Sequence, residues 1–257
     1  MAIDTFSKFY YGHTVDRDNR FINFDEGGGE LSAEIAVNSY TLSEFIVAIQ
    51  TALNGVGTLN YVVTVDRSTR LITIAGDSNF TLLAGTGSQI GQSVFSLMGF
   101  SANDLSGNSS YTGDSGSGFE YRPQFRLHNY VDSSTFEQGI NTVINKTSEG
   151  DVEIVTFGRE NFFEMDIKYI TNNQGDNKVI LNNPTGLADA ISFMQDITQK
   201  RRFEFMKDVD DPDTFSKVIL ESTPGFSQGT GFKLKERFQD NLRDYYDTGL
   251  LKLRVVT

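Results

Sequence analysis

Residues 39–74, SYTLSEFIVAIQTALNGVGTLNYVVTVDRSTRLITI, constrain the fold more than any other part of the chain. Thr41 and Glu44 have the spacing of a capping box, in which each side chain bonds the other's free backbone N–H. Tyr40 and Phe45, on either side of this start, have the spacing of a hydrophobic staple. Apolar residues then recur three, four and seven positions apart, which predicts one buried helix face. That face consists of Leu42, Phe45, Ile46, Ile49 and Leu53.

A β-hairpin is predicted directly after this helix. Asn54 and Gly55 both tolerate the left-handed backbone of a C-cap, so we expect the helix to end there. The β-branched runs YVVTV (61–65) and LITI (71–74) are separated by a polar segment that favours a turn. NFTLLAGTG (79–87) predicts a third strand. The sequence therefore predicts a helix-plus-three-strand module.

Glycine-rich and polar segments suggest where turns and boundaries lie. Gly27 to Gly29 predict a tight reversal, because glycine adopts backbone angles closed to other residues. The run SVFSLMGF (93–100) predicts a short apolar helix. Residues 101–118 have little apolar surface to bury, which favours a linker or an exposed loop. We therefore expect an N-terminal domain over residues 1–115, with its core at about 39–100.

The second domain, residues 116–257, is predicted to be rich in strands with one main helix. Residues 161–170, NFFEMDIKYI, alternate apolar with charged side chains, as in a strand with one buried face. Apolar spacing predicts a helix from about 185 to 199, and four strand-like runs follow it. The predicted fold class is α+β, mostly β, with a split-barrel or sandwich-like second domain.

Composition excludes several classes of function. Asp and Glu number 34 against 22 Lys and Arg, for a net charge of −12, which argues against a nucleic-acid partner. The basic cluster Lys200–Arg202 is expected to be a solvated helix end. No run approaches the roughly 18 apolar residues of a membrane span, and the first residues lack a signal peptide's apolar core. We therefore expect a soluble protein made in a cytoplasm.

No catalytic, cofactor-binding or metal-binding residue is predicted, and we expect the protein not to be an enzyme. The chain has no cysteine, and its two histidines, His13 and His128, lack a neighbouring nucleophile or acid in a known arrangement. The carboxylate cluster DVDDPD (208–213) lacks the glycine and glutamate of an EF-hand loop and favours a turn. GTGSQIG (85–91) lacks the glycine spacing of a dinucleotide site. Two glycosidase carboxylates could still converge from distant positions, so a glycan hydrolase is the last-ranked alternative.

The chain also resembles a module recurrent in the virion proteins of tailed bacteriophages. The pattern covers residues 41–54, 61–74, 80–87 and 97–100, that is, a capped helix, a hairpin, a strand ending in TG and a closing LMGF. The second half is similar to distal-tail and baseplate-hub components in its order of a helix, a strand pair around DVDDPD and a last strand after DYYDTG. The resemblance implies a structural subunit of a tail tip, baseplate or neck ring that links the tail tube to fibres. Its location would be the virion, after synthesis in the host bacterial cytoplasm.

The implied partners are further copies of the chain, in a homo-oligomeric ring, and other phage tail or neck proteins. Strands with apolar residues on both sides, and aromatic residues of the type enriched at interface centres, predict the contact surface. The candidate interface residues are Phe162, Tyr245, Tyr246, Leu250, Leu251 and Leu253. The run GLLKLRVV (249–256) could be an edge strand that a neighbour's sheet extends. Burial of these apolar residues within one subunit is the alternative.

Two other functions stay open from the sequence. The chain could be a tail-fibre, collar or capsid-decorating protein. It could also be a glycan-binding module that recognises the host surface through exposed tyrosines such as Tyr10, Tyr11 and Tyr111.

Overall fold

The computed structural model describes residues 8–122, 135–146, 152–167, 170–171, 187–206, 215–222, 235–240 and 243–256. These residues form several β-sheets together with the helices α1 (Leu42–Val56) and α2 (Leu187–Thr198), which confirms the predicted α+β, mostly β class. The strands, in chain order, are β1 Lys8–Tyr11, β2 His13–Val15, β3 Phe21–Asp25, β4 Glu30–Glu34, β5 Asn38–Tyr40, β6 Tyr61–Asp66, β7 Leu71–Leu82, β8 Leu105–Thr112, β9 Phe119–Tyr121, β10 Thr135–Lys146, β11 Val152–Asp166, β12 Ile170–Thr171, β13 Phe203–Met206, β14 Phe215–Ser222, β15 Lys235–Asp240, β16 Arg243–Asp247 and β17 Leu250–Val255. No helix in this part of the chain is both long and apolar enough to cross a membrane.

The chain divides into two compact units. The N-terminal unit consists of Tyr10–Glu120 and Arg202–Glu204. The C-terminal unit consists of Met1–Phe9, Tyr121–Arg201 and Phe205–Thr257.

Helix α1 begins as its sequence predicts. The Thr41 hydroxyl accepts a hydrogen bond from the Glu44 backbone N–H at 3.3 Å, and the Glu44 carboxylate accepts one from the Thr41 N–H at 3.0 Å. The rings of Tyr40 and Phe45 lie 6.3 Å apart, as in a hydrophobic staple. All five residues of the predicted apolar face are buried. The start and the buried face of α1 are therefore confirmed.

The predicted end of α1 is wrong, because the helix continues to Val56 and Gly57 is its C-cap. The Asn54 side chain instead forms hydrogen bonds with the backbone of the neighbouring strand β6. It donates to the Tyr61 carbonyl at 2.9 Å and accepts from the Tyr61 N–H at 2.7 Å, and Gln50 accepts from the Val63 N–H at 3.0 Å. Side chains of α1 thus occupy backbone groups along β6.

The predicted hairpin is confirmed, with β6 and β7 paired in register from Tyr61↔Gly76 to Asp66↔Leu71. The separate third strand is wrong. Residues 79–82 continue β7, which pairs with β6 through its first half and with β3 at Phe24↔Leu82. The described strands of this sheet have the order β4-β3-β7-β6, with β8 also paired to β7.

The interpretation of residues 101–118 as a linker or exposed loop is wrong over Leu105–Thr112, which forms β8. Its anchor is Tyr111, which is buried and donates its hydroxyl to the Phe80 carbonyl at 2.7 Å. Just before β8, Asp104 accepts hydrogen bonds from backbone N–H groups of the 85–86 turn. The polar residues of this segment therefore satisfy backbone groups of an ordered turn and strand.

The short helix expected at 93–100 is also wrong. This segment follows a short 3₁₀ helix, Ile90–Gln92, and makes successive turns, with hydrogen bonds from Met98 to Val94 and from Phe100 to Phe95. Gly99 has φ +84°, which a continuing helix does not allow. By contrast, the glycine turn between β3 and β4 is confirmed: the Asp25 carboxylate accepts from the Gly27 and Gly29 N–H groups at 2.6 and 3.1 Å.

One hydrophobic cluster fills the N-terminal unit. It joins the buried face of α1 to inward residues of the sheet and of the 93–100 turns. Its largest members include Phe24, Phe45, Tyr61, Phe80, Phe95 and Phe100. The rings of Tyr61 and Phe80 meet edge to face, with centroids 5.1 Å apart. All four segments of the phage-like pattern contribute to this cluster.

In the C-terminal unit, the predicted helix at about 185–199 is confirmed as α2, with Ala190, Phe193, Met194 and Ile197 buried. Three of the four strand-like runs after α2 contain β13, β14 and β17; the other run, 231–236, overlaps β15 only at residues 235–236, and residues 231–234 lie outside the described residues. Within this unit the strands β10, β11, β17 and β14 are neighbours, in that order, in a seven-stranded sheet, and a three-stranded sheet has the order β12-β16-β15. The predicted turn at 208–213 and His128 lie outside the described residues.

Candidate assembly interface

The six predicted interface residues lie in two different sheets. Phe162 is in β11, and the leucines of residues 250–253 are in β17, beside β11 in the seven-stranded sheet. Tyr245 and Tyr246 are in β16, the middle strand of the three-stranded sheet. The structure therefore does not place all six residues on one strand pair.

The hypothesis that the last strand is an exposed edge is wrong. β17 pairs with β11 on one side, at Phe163↔Leu253, and with β14 on the other, at Leu220↔Leu253. Leu251 and Leu253 are each 1% exposed. Their register opposite Met165 and Phe163 puts them on the buried face of the sheet, because cross-strand partners share a face. A neighbour cannot add a strand where both edges are already paired.

Phe162 is covered by charged side chains of its own chain. Its side chain is 8% exposed. The Lys252 ammonium lies 4.4 Å from the ring centroid, and the Arg254 guanidinium carbon lies 5.6 Å from it. Cations over an aromatic face are attracted by the ring's quadrupole.

The same cations form ion pairs across three strands. Arg254 contacts Glu160 at 3.2 Å and Glu221 at 2.8 Å, and Lys252 contacts Glu164 at 3.3 Å. These side chains are between 21% and 35% exposed, so each pair alone adds little stability. Around Phe162 this sheet face therefore presents charge, where the sequence predicted an apolar contact.

For the other three candidates the structure gives backbone positions only. Tyr246 pairs with Ile170 and Tyr245 with Thr171, and Leu250 lies opposite Asp166. Their part in an interface stays a prediction.

The tyrosines expected to be exposed for glycan binding are buried. Tyr10, Tyr11 and Tyr111 are 0%, 5% and 7% exposed. The Tyr10 hydroxyl donates to the Arg67 carbonyl, and the Tyr111 hydroxyl also accepts from the Asn108 N–H at 3.0 Å. The hypothesis that these three tyrosines form an exposed glycan-binding surface is therefore wrong.

His13 is buried in the N-terminal unit, as its predicted structural role requires. Its ring lies 5.4 Å from that of Phe45, and neither ring nitrogen has a hydrogen-bond partner of acceptable geometry. The pKa of His13 is lowered from 6.5 to about 4, mainly by burial and also by the nearby Arg70 charge, against a smaller raising effect of the Ser117 backbone. His13 is therefore neutral at pH 7.

A buried ion pair at the start of α1 was not predicted. The Glu204 carboxylate is fully buried and accepts from the Ser43 N–H at 2.7 Å, the Ser43 hydroxyl at 2.6 Å and the Arg67 guanidinium at 2.7 Å. The carboxylate sits at a helix N-terminus, where negative charge is favourable. This arrangement holds residues 202–204 against α1. A possible signal was the single acid inside the apolar run of residues 203–206, FEFM.

The basic cluster at 200–202 does not form a shared positive surface. Lys200 donates to the Leu220 carbonyl at 3.0 Å, Arg201 pairs with Asp196, and Arg202 pairs with Glu44 at 3.1 Å. Each cation thus has its own acceptor. The cluster directly follows the end of α2 at Thr198, and Lys200 and Arg202 are exposed, as expected of a solvated helix end.

Among the described residues, no group of three or more His, Asp or Glu side chains could hold a metal ion. The sequence matches no protein-family model and no curated protein.

Proposed function

We propose that the chain is a structural, non-catalytic subunit of a homo-oligomeric ring at the tail tip, baseplate or neck of a tailed bacteriophage. The observation that supports this is the phage-like pattern together with its packing. Its four segments supply one hydrophobic cluster in the N-terminal unit, so the matched apolar positions belong to a single folded element. In such a ring each subunit would contact two neighbours through different surfaces and would bind further tail or neck proteins.

The ring contact in this proposal uses surfaces other than the paired strand β17. Tyr245 and Tyr246, in the three-stranded sheet, are the candidates outside β17 whose part in the contact stays a prediction; Leu250 lies within β17 and is left out of this contact. A fibre, collar or capsid-decorating role is the second possibility within the same class of protein.

Particles from a host that produces this chain test the proposal. Mass spectrometry of purified particles should detect the chain, and immunogold labelling should place it at one end of the tail or at the neck. Labelling along fibres or over the capsid would select the second possibility. Absence of the chain from particles that contain other tail proteins would refute both.

A further inference from the structure

A groove of about 660 Å³ runs between strand β4 and helix α1 in the N-terminal unit. The strand side includes Ser32, Glu34 and Ile35. The helix side is formed mainly by small residues: Ala48, Thr51, Ala52, Gly55 and Val56. A Cβ added at Gly55 would meet no atom within 4 Å, so the groove has room for side chains of another chain.

The groove follows an open strand edge. β4 pairs with β3 on one side, and no other described strand pairs with it. β6, at the other end of the same strand order, has backbone groups taken by Gln50 and Asn54 of α1. Free N–H and C=O groups on an edge strand can bind an extended segment. The β4 edge therefore offers backbone hydrogen bonds beside an unfilled groove.

Three exposed apolar side chains lie in the groove lining or within a few residues of it in the chain. Val56 lines the groove and is 42% exposed. Val37, next to the lining residue Ala36, is 56% exposed, and Val47, next to the lining residue Ala48, is 64% exposed. Scattered apolar residues are normal on a protein surface. Here Val56 adds an exposed apolar side chain to the groove lining itself, where a bound segment would cover it.

The charge of β4 selects the kind of segment that fits. Glu30, Ser32 and Glu34 alternate along the strand and are exposed. Glu34 already pairs with Arg20 and Glu30 already accepts from the Ser88 N–H, yet the Glu34 side chain remains 52% exposed. Residues 10–120 carry 12 acidic and 4 basic side chains. Antiparallel pairing of two β4 strands about their centres would set glutamate opposite glutamate, which is destabilising.

We infer that this groove binds an extended, basic segment of a partner protein. The segment adds to β4 as a strand, with two cations four residues apart opposite Glu30 and Glu34. Its small apolar side chains pack over Ala48 and Ala52. This binding does not depend on ring formation, since a monomer would present the same edge.

The test uses two acetylated, amidated peptides with the cores Lys-Val-Ser-Val-Lys and Glu-Val-Ser-Val-Glu, titrated into the isotope-labelled full chain. The basic peptide should shift amide NMR signals of residues 30–37 and 47–56, and the acidic peptide should bind at least about tenfold more weakly, the equivalent of 1.4 kcal/mol. Gly55→Leu places a large side chain in the groove and should weaken binding of the basic peptide by a similar factor. Gly91→Leu is the matched control, because a Cβ there also meets no atom within 4 Å and the residue does not line the groove.

A second pair of variants tests the charge. Glu34→Gln should weaken binding of the basic peptide several-fold. Asp18→Asn, which removes one exposed charge outside the groove, should leave this binding unchanged. Equal binding of the two peptides, shifts outside β4 and α1, or unchanged binding to Gly55→Leu would each overturn the inference. So would self-association of the chain through this groove, or failure of the basic peptide to bind at millimolar concentration.

Discussion

Acidification from pH 7.5 to pH 5.0 is expected to destabilise the N-terminal unit through one side chain, His13. The imidazole is buried beside Phe45, and its pKa falls from the ordinary 6.5 to about 4 because burial and the Arg70 charge disfavour the cation. In the unfolded chain the same group titrates near its ordinary value. Between these two values the unfolded state therefore binds more protons than the folded state, and stability falls as pH falls.

The two pKa values set the size of the effect. Linkage predicts a loss of about 2 kcal/mol in the free energy of unfolding at pH 5 and about 3 kcal/mol at pH 4. Three described carboxylates, Asp66, Asp104 and Asp114, do not account for the upper part of this window. Hydrogen bonds lower the pKa of Asp66, Asp104 and Asp114 below their ordinary value of 3.8, so their contribution is lost only at lower pH.

The assay is urea unfolding followed by circular dichroism at half-unit steps from pH 7.5 to pH 4.5. His13→Leu and His13→Phe should flatten the profile between pH 6.5 and pH 5, whatever their effect at pH 7.5. Neither replacement breaks a hydrogen bond of acceptable geometry. His128→Asn is the control for the other histidine and should keep the wild-type slope. A wild-type profile flat from pH 7 to pH 5, or a slope that survives both His13 replacements, would refute this reasoning.

Three further changes test the packing. Ile49→Ala should lower the free energy of unfolding by about 2–5 kcal/mol, because it leaves a cavity at a fully buried site. Val47→Ala, on the exposed side of the same helix, should change it by no more than about 0.5 kcal/mol. Urea titration of both variants distinguishes these outcomes. Glu204→Ala should lower the free energy of unfolding by about 3–5 kcal/mol, because it removes the carboxylate that pairs with the largely buried Arg67 cation. The double variant with Arg67→Met should recover part of that loss. Full stability of the single variant would contradict the buried pair. Deleting residues 250–257 should unfold the seven-stranded sheet, since β17 is paired on both sides; a deletion that keeps the wild-type melting temperature would show that this pairing is wrong.

Local signals in the sequence predicted local structure well. The capping box at Thr41 and Glu44 and the spacing of the apolar residues act within a few residues of chain, so their outcome depends little on the rest of the fold. The hairpin of β6 and β7 is predictable for the same reason. Asn54 shows the limit: its residue type indicated a helix end, but its side chain is used by Tyr61 and the helix continues.

Features set by distant partners were missed. Leu105–Thr112 has few apolar residues, and it forms a strand because β7 supplies its hydrogen bonds and a pocket for Tyr111. The place of β17 between β11 and β14 is a property of the sheet order, which no residue within β17 encodes. Glu204 pairs with Arg67, which lies 137 positions earlier in the chain. Sequence spacing therefore could not identify the partner of this buried charge.

Native mass spectrometry of the purified full chain, over a range of protein concentrations and at physiological ionic strength, tests the central claim most directly. Raising the salt should favour association, because screening reduces repulsion between subunits with a net charge of −12. The ring proposal predicts one dominant species whose mass is a fixed multiple of 28.6 kDa, greater than two, and which does not grow further as concentration rises. A single 28.6 kDa species under all these conditions, or an open series of masses without a preferred size, would contradict the proposal of a closed ring.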